Sequence, residues 1–152
     1  MTDRSSSRAI PESSIVLGFG PMLVLPVLAV LAWSTGGWWG AFFVGIGQLW
    51  AGVLLIFIAG VRRGLSFGMA DGPRPLQLAT MMWLFVLGLA GVALPWLAGF
   101  CALLIGYGSV AILDPRAAKR GEVPAHFARL RPPQMAVAIL GLTGLLLRAL
   151  TL

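Results

Sequence analysis

At 152 residues the chain is about one domain long, and at 59% hydrophobic, 11% charged and a mean hydropathy of +0.92 it carries under half the ~25% charged residues of an ordinary globular domain. A soluble fold of this size has too little interior to hide so much apolar surface, so a bilayer must hide it. The net charge of +6 and pI near 11.4 would invite nucleic acid, but the basic residues stand in short segments between apolar runs, where anionic lipid headgroups and membrane insertion explain them; no nucleic-acid partner is expected.

Residues 1–14, MTDRSSSRAIPESS, read as a polar tail, with Pro11 discouraging an extended helix and Ser14 placed to cap the helix that follows. Five apolar segments come next, at 15–33, 38–61, 76–94, 96–113 and 134–152. Each is close to the ~20 residues that cross ~30 Å of hydrocarbon as a helix. The first is longer than the apolar core of a signal peptide, and although Val30-Leu31-Ala32 would pass as a cleavage site, a retained anchor is expected. Pro21 and Pro26 should kink or loosen that helix. The expected fold is therefore all-α, a polytopic bundle of five transmembrane helices. Connections as short as Ser34-Thr35-Gly36-Gly37 and Pro95 make it two antiparallel hairpins plus a final span.

Of eleven Lys and Arg, only Arg148 falls outside the tail, the second loop (62–75) and the fourth loop (114–133). This bias puts the N-terminus and both long loops in the cytoplasm and the C-terminus outside. Trp33, Trp38, Trp39 and Trp96 fall at the opposite, non-cytoplasmic ends, where aromatic rings mark an interface. Arg148, four residues from the end, should snorkel to the outer headgroups. Small residues supply the packing faces: Ala41 with Gly45, Gly47 with Ala51, and Ala98, Ala102 and Gly106 one turn apart. In the fourth loop, Asp114-Pro115 reads as a helix start and Gly121 as a stop. A short basic piece over 125–131 should rest on the membrane surface, Phe127 and Leu130 on one side and Arg129 and Arg131 toward phosphates.

The residues offer little chemistry. One histidine, His126, cannot ligate a haem between spans, and five acidic residues outside the spans make no metal site. Cys101 lies in an apolar run and reads as a small hydrophobe, while Thr80, Ser109 and Thr143 lack an acid or histidine in their own spans and should bond to their own helix backbone. No catalytic group, cofactor or metal is expected. The conspicuous mid-membrane polar groups are Gln48 and Tyr107, which read as hydrogen-bonding glue between helices, with a ligand or pore contact as the alternative.

Phe57-Ile58-Ala59-Gly60-Val61-Arg62-Arg63-Gly64 resembles the signature of the family called domain of unknown function 3429, which includes the mitochondrial transmembrane protein 69. The family pattern is Phe-Leu-Gly-Gly-Ile-(His or Arg)-Trp-Gly; here Ala59 stands for the first Gly of the pair and Arg63 for the Trp. Leu17-Gly18-Phe19-Gly20 and Pro124-Ala125-His126-Phe127-Ala128-Arg129-Leu130-Arg131 look like the same family, which is defined by its membrane architecture and implies no activity. Read physically, Gly60 and Gly64 lie one turn apart around Arg62 and Arg63, where a helix or headgroup could approach the backbone. Arg62 could hold a phosphate or a carboxylate; the plainer alternative is that both arginines only set topology.

Gly60, Arg62, Arg63, Gly64, Arg129 and Arg131 are thus the candidate lipid or partner contacts. The first functional expectation is a non-enzymatic accessory subunit or assembly factor of a larger complex in a bacterial inner (cytoplasmic) membrane, or the mitochondrial inner membrane in a eukaryote. The alternative is a small transporter or channel for a neutral or anionic solute. A lipid enzyme would draw only on Arg62, Arg63 and His126.

Overall fold

A computed structural model describes residues 12–67, 74–121 and 127–152, with side chains from 18 onward and, in the last segment, from 129 onward. Its elements are five helices: α1 (Glu12–Ser34), α2 (Gly37–Phe67), α3 (Pro75–Ala93), α4 (Trp96–Lys119) and α5 (Phe127–Ala149). No strand occurs among the described residues. Helices α2, α3, α4 and α5 are long and apolar enough to cross a membrane, and 18–34 of α1 is a shorter apolar stretch.

Each helix packs on its chain neighbours and α1 closes on α5, while α2 also reaches across to α4 and α5. The helices form a ring around one core, with Leu25, Leu55, Leu84, Leu103 and Leu142 fully buried. The outward faces are apolar too: Val30, Phe57, Leu97 and Leu140 are all more than half exposed, the pattern of a bundle whose surroundings are lipid. Close approach of α2 and α3 rests on two glycines facing each other. A Cβ on Gly52 would come within 3.0 Å of the Gly88 carbonyl oxygen, and one on Gly88 within 3.1 Å of the Gly52 carbonyl oxygen. Gly37, at φ +54°, turns the chain from α1 into α2.

The helices overrun the apolar segments that announced them. Ser14 lies inside α1, two residues past its first residue Glu12, and is not its cap; α1 then runs unbroken through Pro21 and Pro26. Arg62 and Arg63 are not in a loop, because α2 continues to Phe67. Asp114-Pro115 does not start a helix: α4 continues through both to Lys119. Residues 127–131 are not a separate surface piece but the first turns of α5, which continues through Pro132 and Pro133. In α2, α4 and α5 hydropathy falls where charges begin, but Arg62, Asp114 and Arg131 are paired across the helices, so these charges do not force the backbone out of helix. Ala98 is exposed and Gly99 takes its place on the packing face with Ala102 and Gly106. Cys101 faces outward rather than into the core.

Candidate functional site

At the basic end, three helices bring ionised side chains together. Arg62 of α2 donates from Nε to Asp114 Oδ1 of α4 at 2.9 Å, and its Nη2 donates to the same oxygen. Arg131 of α5 pairs through Nε with Asp114 Oδ2 at 3.1 Å. Arg62 Nη1 donates to Thr80 Oγ1 of α3 at 3.1 Å, so four of the five helices meet at one cluster. The side chains of Arg62, Asp114 and Arg131 are 10%, 2% and 12% exposed. A carboxylate so enclosed is stable only with its charge matched, and both its oxygens are engaged. At ~1.5 Å per residue Asp114 stands ~27 Å along α4 from Trp96, near the far border of a ~30 Å hydrocarbon layer.

Arg131 therefore does not point to lipid phosphates as the sequence suggests; it turns inward to Asp114, while Arg129 is exposed. Arg62 does hold a carboxylate, but one from its own chain. Arg63 lies over the Phe67 ring, 4.3 Å from its centroid, with Nη1 buried and making no hydrogen bond among the described residues. Gly60 and Gly64 are exposed, with nothing within 4 Å of where a Cβ would stand. Together with the outward Phe57 and Phe67, 65% and 68% exposed, they form an open face of α2. His126 lies outside the described residues.

Gln48 and Tyr107 both act between helices. Gln48 Nε2 donates to the carbonyls of Gly91 and Leu94 at 2.7 and 2.9 Å, covering the C-terminal end of α3. Tyr107 is fully buried and its hydroxyl donates to the Ala51 carbonyl of α2 at 2.9 Å. Arg148 is not directed away to headgroups; it donates from Nε to Ala32 O at 2.8 Å and from Nη2 to Thr35 O at 3.1 Å, closing the C-terminal end of α1. Trp33 lies beside it and donates to Gly144 O at 2.9 Å. Thr80, Ser109 and Thr143 each donate to a carbonyl of their own helix. Among the described residues no group of His, Cys, Asp or Glu gathers to hold a metal ion.

A cavity of about 240 Å³ opens between α1, α2 and α5 beside the ionic cluster. Pro21, Met22, Leu54, Phe57 and Ile58 make most of its wall, with Arg131 and Gln134 at the polar end. Gln134 is 3% exposed, and its amide forms none of the bundle's hydrogen bonds among the described residues. Asp114 and Gln134 are the two residues the sequence did not flag as site residues. The available signals were an Asp-Pro pair continuing an apolar run and a Gln three residues after a basic one. No family model, curated protein or solved structure matches the chain, so the family resemblance rests on its short motifs.

Proposed function

We propose that this chain is a non-enzymatic integral protein of a bacterial inner membrane, an accessory subunit or assembly factor that docks a larger membrane complex through the outward face of α2. The N-terminus and the basic end face the cytoplasm in this reading, supported by the bias of Lys and Arg and by the tryptophans at the opposite end. The carrying observation is the open backbone at Gly60 and Gly64, flanked by Phe57 and Phe67. Small residues let a second helix approach closely where lipid tails would otherwise compete equally for apolar contact. Gln48 and Tyr107, the groups that motivate a transporter, are both committed to backbone carbonyls, which weighs against a solute path through them.

The test is crosslinking in cells followed by purification in mild detergent. The wild-type chain should travel with another membrane protein, and the Gly60→Leu/Gly64→Leu double variant should lose it while its own melting stability changes by under about 1 kcal/mol, as exposed substitutions do. Recovery of a solitary monomer, or a partner retained by the double variant, overturns the reading.

A further inference from the structure

We propose that the cavity between α1, α2 and α5 is a binding site for one glycerolipid of the surrounding bilayer, with an acyl chain along Met22, Leu54 and Ile58 and an ester carbonyl accepting a hydrogen bond from the Gln134 amide. This goes beyond docking through α2 and involves different residues. Three observations converge. The wall is apolar and its rim includes Phe57, 65% exposed, so the opening faces the lipid side of the bundle. The polar end is formed by Gln134, a residue only 3% exposed whose amide lines the cavity and makes no hydrogen bond to another described residue, which leaves its N–H to whatever enters there. The donor nitrogen is placed at the cavity wall, since Gln134 Nε2 is the atom nearest to where a Cβ on Gly18 would stand and both residues line the cavity.

The depth selects the occupant. Gln134 is three residues along α5 from Arg131, ~4.5 Å nearer the membrane centre than the ionic cluster, which itself lies near the border of the hydrocarbon. Below the headgroup charges, lipid ester carbonyls offer acceptors without charge. A neutral amide N–H is matched to such an acceptor, whereas a phosphate would be drawn to exposed cations such as Arg129. A lone water could also bond the amide but would leave the apolar wall unfilled.

The full chain, stripped of lipid in detergent, is titrated with dioleoylphosphatidylglycerol and with its diether analogue, which lacks both carbonyls, and retention is read by native mass spectrometry. Wild type should keep one diester lipid about fivefold more tightly than the diether, the discrimination expected of one neutral hydrogen bond. Gln134→Leu should bind both equally, and Leu54→Trp, which fills the cavity, should bind neither. Equal retention of diester and diether by wild type overturns the assignment, as does discrimination surviving in Gln134→Leu, or an isoprenoid quinone occupying the cavity of the purified chain instead.

Discussion

The two ends of the bundle use polar side chains in opposite ways. At the end carrying Trp33 and Trp96, Arg148 and Gln48 reach across to backbone carbonyls: Arg148 covers the last turn of α1 and Gln48 that of α3. Each satisfies acceptors that would otherwise be orphaned at a helix terminus. At the basic end the contacts join side chain to side chain, with Arg62 and Arg131 sharing Asp114. The first arrangement stabilises by completing hydrogen bonds of the helices themselves. The second holds a balance of charges whose members are each costly without the others. The ends should therefore fail differently when a single residue is removed.

The largest effect belongs to Asp114. Asp114→Leu leaves two guanidiniums together with their shared carboxylate gone, and should cost ~3–5 kcal/mol, the penalty for breaking a buried ion pair from one side. Thermal or denaturant melts in detergent measure it. Replacing Arg62, Asp114 and Arg131 together by Met, Leu and Met should restore most of the loss, because no buried charge is then unmatched. A triple variant as weak as Asp114→Leu alone would show that the cluster acts through specific geometry rather than charge balance. Next comes Arg148→Met, which removes the donors to Ala32 O and Thr35 O and should cost ~1.5–3 kcal/mol, the worth of hydrogen bonds from a charged group. No second substitution should rescue it, since the orphaned acceptors are backbone. Rescue by any side-chain change nearby would erase the distinction between the ends.

That distinction is only half visible in the sequence. The five apolar segments, their short turns and the tryptophan-bearing end follow from hydropathy and composition, because a bilayer demands long apolar helices whatever they pack against. Charges are what misplace the helix ends. Arg62 and Asp114 end apolar runs, so they read as loop, yet they lie within α2 and α4 because each neutralises the other from 52 positions away in the chain. No local pattern carries such a pairing. Pro115 reads as a helix start, but inside α4 it removes one backbone donor while the Asp114 cluster holds that turn in place. Gln48 and Tyr107 stand out in the sequence because polar groups amid apolar runs need partners, although which carbonyls they find depends on how α2 meets α3 and α4. Gln134 does not stand out in the sequence, since it opens the fifth apolar segment next to the basic fourth loop, and only the folding of 127–133 into α5 places it on a helix face beside α1 and α2.

The smallest effect falls between the ends, at Tyr107, and it sharpens the comparison because it separates hydrogen bonding from acceptor rescue. The Tyr107 hydroxyl donates to Ala51 O, but Ala51 lies in the interior of α2, where its carbonyl already accepts the amide four residues on. Tyr107→Phe therefore leaves no backbone acceptor orphaned and keeps the ring in the core, where it is fully buried. The cost should be only ~0.5–1.5 kcal/mol, that of one ordinary hydrogen bond. Arg148 acts where helix carbonyls have no donor of their own, so its removal should exceed that of Tyr107 by a margin that melts resolve. If Tyr107→Phe proves as damaging as Arg148→Met, supplying donors to helix ends is not what Arg148 contributes, and the contrast between the two ends reduces to burial alone.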